Sequence, residues 1–190
     1  MRNLFKALLY TGLIVTANAG WPNLAQAQGI SDLRDGDLRK LVVHSEAKPM
    51  PTVEFDGPDG KVSLADYAGK ITVVNFWALW CAPCREEMPT LESLSQEYGG
   101  DDFAVVTVAT GPNAPPAIDA FFDDIGVTTL PKYRDPRSGL ARAAGVLGLP
   151  VTVILDRDGQ ELARLTGTAD WHSDSARMIV EALIAKDTAG

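Results

Sequence analysis

Residues 71–84 read ITVVNFWALWCAPC, a nearly continuous apolar run that leads into a Cys-x-x-Cys pair. The run from Ile71 to Trp77 has the composition of a strand that is buried on both faces of a sheet. Cys81 and Cys84 are the only cysteines of the chain. They have no partners for a disulfide framework, and the short loop that they close would contribute little loop-closure entropy. The pattern therefore indicates a dithiol that cycles with its disulfide.

The segment after the cysteines predicts a helix, because apolar residues recur at helical spacing from Met88 to Tyr98 and Gly99 follows. Strands and helices then alternate along the chain. Strands are predicted at 103–109, 151–155 and 161–165, a hairpin at 52–64, and helices at 115–125, 140–146 and 173–185. This order predicts an α/β fold with a βαβ unit, a parallel core and helices on both faces of the sheet.

Size and charge limit the classes of partner. The chain has 190 residues, near the size expected of one domain, and a net charge of −8. An acidic surface argues against nucleic acid and against anionic membrane surfaces as partners.

Residues 1–27 have the pattern of a secretory signal peptide. Arg2 and Lys6 form a basic region, residues 7–17 are apolar, and 25–27 read AQA, a small-x-small cleavage site. The alternative is an uncleaved membrane anchor, but a spanning helix needs about 20 apolar residues and this run is shorter. Export would place the two cysteines in an oxidising compartment, where disulfides persist. The predicted location is the periplasm.

Residues 28–48 are polar and rich in charge, although Leu38 and Leu41 belong to one weak apolar stripe of helical spacing. This composition predicts a tether with a possible short helix. Pro49 then interrupts the chain, as proline does at the boundary of an element. The folded domain is therefore predicted to cover residues 49–187.

The position of the pair predicts different roles for its two sulfurs. Cys81 falls where a strand ends and a helix begins, so the free amides and the helix dipole would stabilise a thiolate there. The thiolate is the form that attacks disulfides. Cys84 lies inside the first helical turn, which would bury its sulfur beneath the first. Cys81 is therefore the predicted nucleophile and Cys84 the resolving thiol.

Two other uses of the pair remain open. A structural zinc site normally needs four ligands, and only His44 and His172 could add to the two thiols. Neither histidine is near the pair in sequence, so no metal and no cofactor is expected. The second alternative is an inert structural disulfide. A disulfide that closes so short a loop constrains the unfolded chain very little.

Residues 75–89, NFWALWCAPCREEMP, resemble the active-site segment of TlpA-like exported thiol–disulfide oxidoreductases of the thioredoxin superfamily. The resemblance extends over about 49–185 and includes the segments 148–152 and 166–171. It implies a thioredoxin fold, in which a central mixed sheet is flanked by helices, here with an added N-terminal β-hairpin.

The resemblance also implies roles for single residues. Pro150 matches the family's cis-proline, which packs against the disulfide and offers its backbone to an extended substrate. Glu87 matches a glutamate that tunes the thiols or shuttles protons, and the alternative is a solvated surface glutamate. Asn75 stands where cytoplasmic thioredoxins carry a buried acid, or is simply a hydrogen-bonded core residue. The predicted site is therefore Cys81, Cys84, Glu87 and Pro150.

The family works mostly as reductants, so the resemblance implies an exported, monomeric protein-disulfide reductase. Its partners would be client proteins with cysteine pairs and a thiol electron donor in the membrane. The implied clients are copper-handling proteins of cytochrome oxidase assembly and apocytochromes c. Haem-pathway relatives commonly place a glutamate directly after the cis-proline, and Val151 stands there instead. That difference favours copper-site assembly.

Two other functions stay open at this point. The chain could be a non-catalytic redox or copper-binding module, although its few histidines and its lack of methionine clusters argue against this. It could also be a thiol oxidase or isomerase on the same fold. A reduction potential well above about −200 mV would indicate that second alternative.

Overall fold

The computed structural model describes residues 29–185. The predicted signal peptide lies outside these residues. Within the described part of the chain, no helix combines the length and the apolar character needed to cross a membrane.

The described residues form one eight-stranded mixed sheet. The strands are β1 (Val42–Pro49), β2 (Phe55–Gly57), β3 (Gly60–Val62), β4 (Ile71–Trp77), β5 (Phe103–Thr110), β6 (Tyr133–Asp135), β7 (Val151–Leu155) and β8 (Gln160–Thr166). Their spatial order is β1-β8-β7-β4-β5-β6-β2-β3. Strands β4, β5 and β6 are parallel, whereas β7, β8 and β1 run antiparallel to their neighbours. The predicted mixed sheet is confirmed, and β2 and β3 are the predicted hairpin, shorter than the sequence indicated.

Helices cover both faces of this sheet. They are α1 (Ala82–Tyr98), α2 (Pro115–Asp124), α3 (Gly139–Ala143) and α4 (Asp174–Ala185), with short 3₁₀ turns at Gly36–Lys40 and Leu64–Tyr67. Side chains of β4 alternate between two apolar clusters. Val73 packs in the cluster that contains α1, α2 and α4, and Val74 packs in the cluster under α3 and the hairpin. This two-sided burial explains why the sequence of β4 is apolar without alternation.

The tether prediction for residues 28–48 is wrong over the part that the structure describes. Leu38 and Leu41 are fully buried in the main core cluster, and β1 pairs with β8, with Val42 opposite Arg164. The error has a physical cause. β1 is an edge strand with an exposed or half-buried surface, and edge strands carry polar and charged residues that discourage further pairing. Such a strand resembles a linker in composition.

Glu92 anchors the middle of α1 to the segment that precedes β6. Its carboxylate is 5% exposed and accepts hydrogen bonds from the backbone amides and hydroxyls of Thr128 and Thr129 and from the Leu130 amide. Burial raises the pKa of Glu92, but these hydrogen bonds outweigh burial and hold the pKa below its ordinary value. The carboxylate therefore fixes the helix that carries the cysteines.

Candidate active site

The two cysteines lie at the amino end of α1. Cys81 is the N-cap residue, and its Sγ accepts a hydrogen bond from the Cys84 amide at 3.3 Å. The two sulfurs are joined in a disulfide. Pro83 occupies the first helical turn, where its missing N–H removes no needed donor. After reduction, the same amide and the helix dipole would favour a thiolate on Cys81.

The two sulfurs differ in access to solvent. Cys81 is 6% exposed and Cys84 is fully buried. Trp80 precedes the pair and is 66% exposed, so it forms an apolar surface beside Cys81. The geometry agrees with the predicted order, in which an outer sulfur meets the substrate and an inner sulfur acts afterwards.

Pro150 lies at the same edge of the sheet as the cysteines. The Leu149–Pro150 peptide is cis, as predicted. Strand β7 begins directly after it, and Val151 pairs with Phe76 near the end of β4. Because β4 leads into the loop that carries Cys81, this register brings Pro150 to that loop. Its carbonyl accepts a hydrogen bond from the Gly167 amide at 2.9 Å.

Glu87 is buried one helical turn after Cys84, so the alternative of a solvated surface glutamate is wrong. The side chain is 3% exposed. Its Oε1 accepts from Asn75 Nδ2 at 2.8 Å, and its Oε2 accepts from the Ala169 amide at 3.3 Å and from Trp171 Nε1 at 3.2 Å. Three donors therefore converge on one buried carboxylate, which belongs to the residue three positions after Cys84.

Burial raises the pKa of Glu87 to about 7, although the hydrogen bonds from Asn75, Ala169 and Trp171 oppose the shift. Desolvation disfavours the charged form and exceeds what the three donors restore. A carboxyl group of this kind gains and loses its proton near neutral pH, which suits proton transfer.

The raised pKa predicts a pH dependence of stability. Below the ordinary pKa of 4.5, Glu87 is protonated in both states. As the pH rises towards about 7, the unfolded state loses this proton first, so the free energy of unfolding falls. Glu87→Gln should remove this part of the slope, which urea unfolding between pH 4.5 and 8 would measure. An unchanged slope in the variant would show that Glu87 titrates normally.

Asn75 connects β4 to Glu87 on α1 and to β7. It is fully buried, and its Nδ2 donates both to Glu87 and to Thr152 Oγ1, the latter at 2.9 Å. Thr152 is its register partner on β7. Asn75 is therefore a hydrogen-bonded core residue, as one alternative predicted, and it also contacts the candidate proton carrier. Thr152 and Trp171 were not among the predicted site residues.

A third residue that the sequence did not indicate is Asn113, in the loop after β5. It is 6% exposed. Its Oδ1 accepts the Leu79 amide at 2.8 Å, and its Nδ2 donates to the carbonyls of Thr110 and Gly111. Leu79 belongs to the turn in which the Cys81 amide bonds to the Ala78 carbonyl. Asn113 therefore fixes the backbone just before Cys81.

Asn113→Ala is expected to destabilise the oxidised protein by about 1–3 kcal/mol, because the Leu79 amide loses its acceptor. Urea unfolding would measure the loss. Asn113→Asp keeps an acceptor for Leu79 but sets a carboxylate oxygen against the carbonyls of Thr110 and Gly111, so it should be no more stable than Asn113→Ala. A loss well below about 1 kcal/mol in Asn113→Ala would show that these hydrogen bonds do not stabilise the loop.

The two histidines form hydrogen bonds with glutamates and not with the cysteines. His44 bonds to Glu161 at 2.8 Å and His172 to Glu97 at 2.6 Å. Across residues 29–185, no group of three or more His, Cys, Asp or Glu side chains could hold a metal ion. Trp77 stacks on Phe122 and serves packing.

Comparison with known proteins gives concordant matches. The model of the AhpC/TSA family matches residues 47–160. The chain is 41% identical over 124 residues to the thioredoxin-like protein YneN of Bacillus subtilis, covering 64% of this chain and 71% of YneN. It is 30% identical over 165 residues to the thiol:disulfide interchange protein HelX of Rhodobacter capsulatus, covering 85% and 88%.

A solved structure with similar architecture is the thiol:disulfide interchange protein DsbE of Chlorobium tepidum. Its TM-score is 0.63 at 27% sequence identity, and the match covers 73% of this chain and 97% of that one. The residues 47–160 that match the family model include the cysteine pair at the start of α1 and the strand after the cis-proline.

Proposed function

Because this chain belongs to the AhpC/TSA family and is a TlpA-like thiol–disulfide oxidoreductase, we propose that it acts in the periplasm as a reductant of client cysteine pairs. The observation that carries the proposal is the asymmetry of the pair. Cys81 caps the N-terminus of α1 and keeps slight exposure to solvent, whereas Cys84 is fully buried in the first turn of that helix. This arrangement suits a two-step transfer of electrons from the pair to a client.

In the first step the Cys81 thiolate attacks a client disulfide. A bond forms between Cys81 Sγ and one client sulfur, and the other client sulfur leaves as a thiolate. In the second step the Cys84 thiolate attacks Cys81 Sγ. The mixed disulfide breaks, the client is released as a dithiol, and the Cys81–Cys84 disulfide forms. Two electrons have then passed from the pair to the client.

Glu87 is the proposed acceptor of the Cys84 proton in the second step. Cys84 must become a thiolate in a fully buried position, where burial opposes ionisation. Glu87 lies one helical turn away, and its raised pKa lets it take up a proton near neutral pH. Pro150, whose cis peptide lies at the same edge of the sheet, is the proposed docking site for an extended client segment.

The reducing direction requires a supply of electrons. Thioredoxin-like potentials lie near about −270 mV and that of a strong periplasmic oxidant near about −120 mV, a gap of about 7 kcal/mol for two electrons. An exported reductase would therefore become oxidised unless it is re-reduced. We assign that role to a thiol donor in the inner membrane, and propose that the chain reaches the periplasm by cleavage of residues 1–27 and acts as a monomer.

The proposed clients are cysteine pairs that must be reduced before they receive copper, as in cytochrome oxidase assembly. Val151 supports this choice, because it directly follows the cis-proline and is 3% exposed within the apolar cluster. No acidic side chain is therefore presented at that point. Apocytochromes c are the second candidate.

Trapping of mixed disulfides would test the proposal. A Cys84→Ser variant, expressed in the exporting cell, should hold clients on Cys81, and mass spectrometry would identify the joined peptides. The double variant Cys81→Ser, Cys84→Ser is the matched control. We expect copper-handling proteins among the trapped partners. Adducts that also form in the double variant, or none at all, would contradict the proposal.

A further inference from the structure

We propose that the side-chain amide of Asn75 turns over when Glu87 gains or loses a proton, and that Asn75 and Thr152 thereby hold this proton on Oε1 of Glu87. Asn75 is a positioning residue in this account. The inference rests on the proposed role of Glu87 as proton acceptor and deepens it.

The two oxygens of Glu87 face different partners. Oε2 accepts hydrogen bonds from the Ala169 amide and from Trp171 Nε1, and both of these groups can only donate. Oε1 receives a single donor, Asn75 Nδ2, at 2.8 Å. A proton on Oε2 would face two N–H donors. A proton on Oε1 faces only the Asn75 amide, which can turn and present its oxygen. The proton therefore belongs on Oε1.

A protonated Oε1 cannot keep the present contact with Asn75, because two donors would face each other. The amide has an acceptor available. Asn75 Oδ1 is buried and has no hydrogen-bond partner among residues 29–185. A half-turn of the amide exchanges Oδ1 with Nδ2, so that Oδ1 accepts the proton of Glu87. Asparagine can do this because one planar group carries both donor and acceptor.

Thr152 permits the turn. Its Oγ1 now accepts from Asn75 Nδ2 at 2.9 Å. After the turn, the same hydroxyl can donate to Asn75 Oδ1, because a hydroxyl serves as donor or acceptor by rotation. Before the turn the amide leaves one acceptor, Oδ1, without a partner, and after the turn it leaves the NH2 group without one. A buried NH2 without a partner costs more than a carbonyl oxygen without one, so the turned arrangement forms when the new hydrogen bond from protonated Glu87 offsets this cost.

Among the groups that face Glu87, the Asn75 amide is the one that can respond when Glu87 gains or loses a proton. Lys40 is the charged side chain whose field reaches Glu87 and lowers its pKa, and its ammonium bonds to the Thr168 carbonyl at 2.9 Å. On α1, Cys84 is held in the disulfide and becomes titratable only after reduction. From β4 and β7 the facing groups are the neutral Asn75 and Thr152. An aspartate at position 75 would instead place two carboxyl groups together.

Nuclear magnetic resonance of the oxidised full chain would test the proposal without donor or client. We expect the carboxyl carbon of Glu87 to titrate near neutral pH. Nuclear Overhauser effects from the Asn75 amide protons to Thr152 side-chain protons should be strong above that midpoint and lost below it. In Glu87→Gln they should not change with pH. Effects that stay constant through the Glu87 midpoint of the unsubstituted protein would overturn the proposal.

Substitution gives a second, independent readout. Asn75→Ala removes both the donor to the carboxylate and the acceptor for the carboxylic acid, so a turning amide predicts a rise of the Glu87 midpoint well below about one pH unit, whereas a fixed amide that only donates predicts a rise of about one unit. Thr152→Ser keeps the hydroxyl and should leave both the midpoint and the Overhauser pattern unchanged. A rise of about one pH unit or more in Asn75→Ala would count against the proposal. If that variant does not fold, the comparison with Glu87→Gln still decides.

The outcomes separate this inference from the proposed function. A fixed Asn75 amide in a protein that reduces clients would refute the amide turn alone. A turning amide in a protein that reduces no disulfide would refute the reductase function alone.

Discussion

Cys81→Ser is expected to reduce turnover of a disulfide substrate to the uncatalysed rate. Serine keeps the size and position of the residue but supplies no thiolate at the helix N-terminus, and Cys84, the other cysteine of the chain, is fully buried. The measurement is the release of client thiols by purified protein with an added dithiol donor.

Cys84→Ser is the matched control for this loss. It keeps the attacking sulfur, so it should form one mixed disulfide per molecule and then stop, because nothing resolves it. The two variants therefore differ in the first step and not only in turnover. Activity that survives Cys81→Ser would refute the assignment of the nucleophile. A protein without turnover in any form would favour the non-catalytic redox or copper-binding module.

Leu38→Ala and Leu41→Ala are each expected to destabilise the protein by about 2–5 kcal/mol. Both side chains are fully buried in the main core cluster, and removal of a buried leucine side chain loses its transfer free energy and leaves a cavity. Denaturant unfolding at constant pH would measure the change. The sequence alone predicts almost no effect, since it places both residues in a tether.

Val42→Ala is the control within the same segment. Val42 is 60% exposed on the edge strand β1, so its truncation should change the free energy of unfolding by less than about 0.5 kcal/mol. If the two leucine variants were as stable as Val42→Ala, residues 29–49 would not belong to the folded unit in solution.

The sequence indicates well those features that depend on neighbours along the chain. The strand Ile71–Trp77 is confirmed with its predicted bounds, because burial on both faces gives a continuous apolar run with little ambiguity. The cysteine pair at the start of a helix follows from the same local order. The cis peptide before Pro150 could be predicted only through family resemblance, since few X-Pro bonds are cis.

Other features could not be read from the sequence, for two physical reasons. The strands β1 and β6 lack the signal of a buried strand, since β1 is a polar edge and Tyr133–Asp135 is only three residues long. The polar contacts of the site join residues far apart in the chain. Asn75 meets Thr152 across 77 positions and Leu79 meets Asn113 across 34, and no local pattern encodes such pairs.

The surroundings of Glu87 illustrate what the structure adds. The sequence predicts that it shares a helix face with Cys84 but leaves a solvated side chain equally possible. Its burial against Asn75 and Trp171 excludes the solvated side chain, and this burial raises its pKa to about 7 although three donors oppose the shift. In the proposed mechanism, the Cys84 proton would therefore have an acceptor inside the protein.

The reduction potential of the Cys81–Cys84 pair tests the central claim most directly. Purified protein would be equilibrated with buffers of defined thiol–disulfide ratio at pH 7, and the fractions of its dithiol and disulfide forms measured. A reductant of client cysteine pairs should have a potential below about −200 mV, towards the thioredoxin value. A potential well above about −200 mV, towards that of the strong periplasmic oxidant, would contradict the reducing direction and identify an oxidase or isomerase instead.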